Sequence, residues 1–104
     1  MTTHAKMLLI FHDETDMFGE SLLYEAIVRR LQQLDISGAT VQRGIMGFGV
    51  HGKVHRKGLF GISDDRPVTI SVIDSDEKLR AVVPEIRRMV EEGVLVLLDA
   101  EVIT

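Results

Sequence analysis

The hydrophobic and polar positions of the chain switch between the period of a strand and the period of a helix. Residues 6–12 form a short apolar run, which predicts a buried first strand. Residues 19–34 carry an apolar stripe with spacings of four, four and three, which predicts an amphipathic helix. The stripe consists of Leu23, Ile27, Leu31 and Leu34. Gly38 follows close to the position where a left-handed residue commonly ends a helix, so a second strand is expected from residue 39.

The second half of the chain repeats this order. Residues 39–46 predict the second strand, and residues 67–73 alternate with period two and predict the third. A second helix is predicted from the capping sequence that begins at Asp74 to about residue 92. Pro84 lies inside it but on its polar face, so the helix is expected to continue past the proline. Residues 94–104 predict a fourth strand.

The order βαββαβ predicts an α+β domain of ferredoxin-like topology, with a four-stranded antiparallel sheet and both helices on one face. Residues 1–104 are predicted as one domain, because 104 residues suffice for a single core. If the apolar strand positions face the helices, the opposite face of the sheet is polar and oligomerisation is one way to cover it. Its predicted members are Thr40, Gln42, Thr69, Ser71, Asp99 and Glu101.

Composition removes several classes of protein. The longest apolar runs span only five residues, whereas a membrane helix needs about 20. The chain has no cysteine, so thiolate metal sites and disulfides are excluded, and its net charge of -4 argues against a general nucleic-acid or membrane-surface binder. We therefore expect a cytoplasmic protein that neither enters membranes nor binds nucleic acid.

Charge is unevenly distributed along the chain. No acidic residue occurs between Asp35 and Asp64, and five glycines lie between residues 47 and 61. A loop over residues 47–65 is predicted, because so many glycines are incompatible with a regular element. Its glycines and basic side chains are suited to cradle an anion, although composition alone fits a solvated surface loop equally well. The candidate ligand-binding residues in and beside the loop are Arg43, Gly44, Met46, Gly47, Phe48, Gly49, His51, Lys53, His55, Arg56 and Lys57.

Two other groups of residues are candidate metal sites, and each also has an interpretation without a metal. His51 and His55 are four residues apart and would bind a divalent metal if the loop were locally helical. The acidic segment of residues 12–16 offers oxygen ligands for Mg²⁺ or Ca²⁺, but capping of the following helix is the favoured interpretation. No metal site is assigned to either cluster.

Catalysis has little support in the sequence. The five serines lie in no nucleophile motif, and there is no cysteine, Walker loop or dinucleotide fingerprint. RNA recognition by this topology uses aromatic residues on the central strands, and residues 68–73 contain none. A protein without enzymatic activity and without a required cofactor is expected.

Four separated motifs resemble a known family. They are Leu23-Tyr24-Glu25-Ala26, Gly38-Ala39-Thr40-Val41, Arg43-Gly44-Ile45-Met46-Gly47-Phe48-Gly49 and Glu92-Gly93 followed by Val94. In this order they resemble the PII-like family known as domain of unknown function 190, and the Gly-Phe-Gly entrance resembles that of the T-loop in nitrogen-regulatory PII proteins. The resemblance implies a homotrimeric signalling protein with a nucleotide cleft between subunits, lined by the base of the loop and the end of the second helix, including Gly93.

The resemblance also has departures that narrow the expected ligand. PII proteins follow Gly-Phe-Gly with Arg and Gln, where this chain has Val50 and His51, so 2-oxoglutarate sensing is not expected. The Gly-rich segment with a phosphate-binding lysine is missing after Gly93, which favours AMP or ADP over a triphosphate. Ligand binding is expected to order the loop 47–65 and so to engage or release a partner protein. The alternative is a metal-binding protein like the copper-tolerance proteins of the same fold, using His51 and His55.

Overall fold

The computed structural model describes residues 1–48, 54–56 and 66–104. The four strands of their main sheet are β1 (Thr2–Asp13), β4 (Ala39–Arg43), β7 (Pro67–Asp74) and β8 (Val94–Ile103). The strand order is β4-β7-β1-β8, and every neighbouring pair is antiparallel. The helices are α1 (Leu23–Gln33) and α2 (Asp76–Met89). The predicted ferredoxin-like fold is confirmed.

Two short two-stranded sheets accompany the main one. β2 (Met17–Phe18) pairs with β3 (Ser21–Leu22) as a hairpin, and β5 (Met46–Phe48) pairs with β6 (Val54–Arg56). The hairpin occupies the segment that the apolar stripe assigned to the start of the first helix. Helix α1 therefore begins only at Leu23, and its N-cap Leu22 provides no side-chain cap.

The core lies between the helices and one face of the sheet. Because strand side chains alternate, Leu8 and Ile10 of β1 and Ile70 and Val72 of β7 point toward the helices and are fully buried. The helical contribution comes from Leu23, Ile27, Leu31, Leu79, Val82, Ile86, Met89 and Val90. Pro84 lies inside α2, as predicted, and its solvent-facing position lets the helix continue.

Helix α1 ends differently from the prediction. Asp35, not Gly38, adopts the left-handed conformation, with a φ of 60°. The N–H of Ile36 donates to the carbonyl of Leu31 at 3.1 Å, and the N–H of Asp35 donates to that of Gln32 at 3.2 Å. These two bonds form a Schellman motif, which satisfies the last carbonyls of the helix.

The open face of the sheet is mixed: Thr40, Gln42, Thr69 and Ser71 lie on it as expected from the sequence, whereas Asp99 and Glu101 lie on the helix side. Lys6 pairs with Asp99 across β1 and β8 and forms an ion pair with it on the helix side of the sheet. Leu98 and its neighbours at alternate positions therefore lie on the other face. The large apolar residues of this open face are Met7, Leu9, Phe11, Ile73, Val94, Val96 and Leu98.

The pair β1–β8 extends beyond the helices as a two-stranded ribbon. Its strands remain paired from Thr2 opposite Ile103 to Phe11 opposite Val94. The amino group of Met1 donates to the carbonyl of Thr104 at 2.9 Å, so the first and last residues are adjacent. No helix in the described part of the chain is long and apolar enough to cross a membrane.

Candidate functional site

Four strand ends meet at one end of the sheet, which we call the loop end. Here β1 and β4 finish, with Asp13 opposite Pro67 and Arg43 opposite Val68, and here β7 and β8 begin. The glycine-rich loop leaves from β4 and returns to β7 at this end. The connection from α2 to β8 reaches the same end, so the two segments predicted to line a ligand cleft share one side of the molecule.

Gly44 and Gly47 pack against the residue that follows the loop. The N–H of Gly44 donates to the carbonyl of Pro67 at 2.7 Å, and a Cβ at Gly44 would lie 2.7 Å from the Cγ of Pro67. At Gly47 the corresponding distance would be 3.0 Å. Gly44, just after β4, and Gly47, in β5, thus permit a close approach to Pro67 at the base of the loop, and a contact with ligand remains a prediction for both.

The loop continues from its base as a short ribbon. Met46 lies opposite Arg56, Gly47 opposite His55 and Phe48 opposite Val54. Phe48 is 76% exposed, so its side chain is available to a ligand or a second molecule. The remaining predicted loop residues, Gly49, His51, Lys53 and Lys57, lie outside the described residues.

An ion pair that the sequence did not indicate lies at the loop end. Arg43 Nη2 is 2.7 Å from Glu14 Oε1. The backbone N–H of Glu14 also donates to the carbonyl of Arg66 at 2.8 Å, which fixes the segment after β1 against the strand that follows the loop. Arg66 Nε is buried without a hydrogen-bond partner among the described residues. Glu14 and Arg66 therefore join Arg43 in the candidate site.

His12 occupies the core side of β1 at the same end and is only 5% exposed. Its Nδ1 lies 2.8 Å from the carbonyl of Asp13, which can only accept, so Nδ1 carries the proton. Its Nε2 is buried and has no partner in the described part of the chain. Asp16 Oδ2 accepts from the N–H of Asp13 at 3.1 Å, and burial raises the pKa of Asp16. The carbonyl of Asp16 accepts from the N–H of Leu23, the first residue of α1, at 2.8 Å. The acidic segment therefore meets the start of the helix through its backbone and not through a side-chain cap.

Gly93 lies just before β8, at the opposite edge of the sheet from the loop base, and packs against β1. A Cβ at this position would lie 2.4 Å from the carbonyl oxygen of Phe11, so the α2–β8 connection closes directly onto β1. Arg87 donates to the carbonyl of Gly93 at 3.2 Å and also to that of Val90. Since β4 and β8 are three strand spacings apart, the loop base and Gly93 of one chain are separated by about 14 Å.

A surface cleft of about 440 Å³ lies between the β2–β3 hairpin and the end of α2. Its charged lining consists of Asp16, Glu91 and Glu92 against Arg88. An excess of carboxylates opposes a phosphate group, because like charges repel at short range. The basic loop base is therefore a better candidate for an anion than this cleft.

The metal alternative gains no support from the described residues. Among residues 1–48 and 66–104, whose side chains the structure describes, no group of three or more His, Asp or Glu is arranged to hold a metal ion. His51 lies outside these residues, so the metal site that pairs it with His55 stays a prediction.

PII-like proteins are among the solved structures that resemble this one. CPII of Thiomonas intermedia, a nitrogen regulatory PII-like protein bound to ADP, AMP and bicarbonate, matches with a TM-score of 0.74 and 20% sequence identity. The match covers 98% of this chain and 91% of that chain. A Thermus thermophilus protein described as PII-like matches with a TM-score of 0.66, covering 98% of this chain and 91% of that chain at 16% identity. The fold is that of the PII-like proteins.

Two relatives found by sequence share a higher identity with this chain than these solved structures do. UPF0166 protein MJ1524 of Methanocaldococcus jannaschii is 36% identical over 99 residues, covering 94% of this chain and 91% of the relative. A UPF0166 protein of Aquifex aeolicus is 33% identical over 98 residues, covering 94% and 92%. Residues 5–102 match DUF190, a family described as Uncharacterized ACR. The chain belongs to the DUF190 family.

Proposed function

We propose that this protein is a non-enzymatic PII-like regulator whose loop end binds a small adenine nucleotide, AMP or ADP. The observation that carries the proposal is the position of Arg43 at the base of a glycine-rich basic loop in a PII-like fold. Arg donates charge-assisted hydrogen bonds to phosphate oxygens, and the open backbone around Gly44 and Gly47 leaves room for them. The binding of ADP and AMP by CPII favours the same class of ligand here.

The nucleotide site is proposed to form between subunits of a homotrimer. Within one chain the loop base and Gly93 lie at opposite edges of the sheet, about 14 Å apart, so a cleft lined by both would have to cross the whole end of the sheet. A neighbouring chain would bring a second surface to either one. The apolar part of the open face, on β1 and β8, supports self-association, because a contiguous exposed apolar surface usually marks an interface.

Ligand binding is proposed to order the loop 47–65, and the ordered loop engages or releases a partner protein, as in other order–disorder switches. The protein would then act in the cytoplasm as a sensor of nucleotide state. Regulation of this kind needs no chemistry on the ligand, which agrees with the lack of a nucleophile motif in the sequence.

A thermal-unfolding panel of adenosine, AMP, ADP, ATP, GMP and GDP tests the proposal. At 100 times its dissociation constant a ligand adds about 2.7 kcal/mol to the free energy of unfolding, so AMP or ADP is expected to raise the melting temperature clearly. Adenosine, which lacks phosphate, is the matched control and should raise it less. No shift with any nucleotide would reject nucleotide binding, and product formation from AMP or ADP would reject the non-enzymatic role.

A further inference from the structure

The Arg43 guanidinium already has an anionic partner in the protein itself. Its Nη2 contacts Glu14 Oε1 at 2.7 Å, a normal distance for a charge-assisted hydrogen bond. The Glu14 side chain is 26% exposed and that of Arg43 is 52% exposed, so the pair lies at the surface, where a ligand has access. An anion that binds Arg43 therefore arrives at a cation whose charge is partly neutralised.

The position of Glu14 is fixed by backbone contacts. It follows the last residue of β1, and its N–H donates to the carbonyl of Arg66 at 2.8 Å. Gly44 follows Arg43, and its N–H donates to the carbonyl of Pro67 at 2.7 Å, which fixes the backbone next to Arg43. Both members of the ion pair are therefore presented by anchored backbone, so the entropy lost in keeping them together is that of their side chains only.

We propose that Glu14 is an intramolecular competitor that sets the affinity and charge selectivity of the loop base for phosphate. A phosphate that reaches Arg43 either displaces the Glu14 carboxylate or lies beside it and is repelled. A ligand with more negative charge on its phosphates overcomes this competition more readily. Glu14 therefore favours the binding of more highly charged ligands over less charged ones. The inference rests on the proposed nucleotide site.

The test is calorimetric titration of ADP, AMP and adenosine into the wild-type protein and Glu14→Gln at low ionic strength. An exposed ion pair contributes little, so removal of the competing carboxylate is expected to tighten ADP binding by roughly two- to tenfold. Adenosine binding should be unchanged, because no phosphate competes with Glu14. The difference between the two proteins should also shrink as salt is added, since salt screens exposed charges.

Two further variants separate local competition from a change in net charge. Glu25→Gln removes the same charge from the pair that Glu25 forms with Arg29 on α1, at 3.9 Å, and should leave ADP affinity unchanged. In an Arg43→Gln background, Glu14→Gln should no longer tighten binding, because the group for which it competes is gone. Glu14→Asp keeps the charge but shortens the side chain, so it should also tighten ADP binding if Glu14→Gln does not fold.

The outcomes distinguish the two proposals. If wild-type protein binds no nucleotide, the proposed function fails and the competitor role fails with it. If wild-type protein binds ADP but the Glu14 variants bind it equally or more weakly, only the competitor role is overturned. An equal gain in Glu25→Gln, or a gain that persists without Arg43, would likewise overturn it.

Discussion

At the scale of single residues, the end of α1 depends on one strained backbone position. Asp35 has a φ of 60°, where a side chain is disfavoured and glycine is not. Gly38 has no positive φ, and a Cβ added to it would meet no atom within 4 Å, so glycine is not required there. The sequence suggested the opposite assignment, because a glycine near a helix end is the usual signal and an aspartate is not.

Asp35→Gly is expected to stabilise the protein by about 0.5–1 kcal/mol, because it relieves the left-handed strain at the end of α1. Gly38→Ala should be neutral or stabilising by up to about 1 kcal/mol, since it reduces the entropy of the unfolded chain. Urea unfolding at matched protein concentration measures both changes. Destabilisation by either substitution would contradict this description of the turn.

The pairing of charged residues at the loop end could not be predicted from the sequence. Arg43 was predicted as a ligand residue from its place beside Gly44, but its partner Glu14 lies in a different motif, 29 positions earlier in the sequence. The acidic segment around Glu14 had an ordinary interpretation as a helix cap. Only the antiparallel pairing of β1, β7 and β4 brings these charges together.

At the scale of elements, hydrophobic periodicity predicted the long strands and helices but missed the strands of two residues. The four strands of the main sheet and both helices follow from apolar spacing, including the passage of α2 through Pro84. The β2–β3 hairpin was missed because strands of two residues contain no period. Its turn has a signal in Gly19, which has a φ of 61°, but a lone glycine does not predict a hairpin.

The start of α2 provides a test at this scale. Ser75 is the N-cap and accepts from the N–H of Lys78 at 3.2 Å, whereas the sequence favoured Asp74. Asp74 instead accepts from the N–H groups of Ser75 at 2.7 Å and Ser37 at 2.9 Å, and so links α2 to the segment before β4. Burial opposes ionisation of Asp74, but these two hydrogen bonds prevail and lower its pKa.

A carboxylate with a lowered pKa stabilises the folded state above its ordinary pKa, near 3.8, and loses that contribution as pH falls through the lowered value. Asp74→Asn is therefore expected to cost about 1–3 kcal/mol at pH 7, with a smaller difference from wild type below pH 4. Asp76→Asn, in the same helical turn, is the control and should cost less, because the Asp76 carboxylate is 53% exposed. Urea unfolding between pH 3 and pH 7 measures the difference. A cost independent of pH would contradict the assignment.

At the scale of the whole molecule, the sheet is apolar on the helix side and, over β1 and β8, on the open side as well. Alternation in β8 separates Leu98 from Asp99, but it does not say which of the two faces the helices. The prediction placed the carboxylates on the open face because burial usually decides orientation. Here β8 extends past the helices, so Asp99 lies on the helix side, stays 90% exposed and pairs with Lys6.

The apolar part of the open face, on β1 and β8, predicts the effect of a charge within it. Leu98→Glu is expected to convert the proposed trimer into monomers of 11.6 kDa, because a buried carboxylate without a partner is strongly unfavourable at an interface. Ile103→Glu is the matched control, since Ile103 is exposed on the same strand but on the opposite face. Light scattering coupled to size exclusion measures the mass. A trimeric Leu98→Glu variant would exclude the open face as the interface.

Met1 and Thr104 lie side by side at the far end of the β1–β8 ribbon, where each donates a hydrogen bond to the carbonyl of the other. A short linker between residues 104 and 1 would therefore join them without disturbing the sheet. The twelve residues of β1 place both ends about 37 Å from the loop end. Fluorescent labels or surface tethers attached there would leave the loop end accessible, which makes the ribbon a natural handle for building a biosensor.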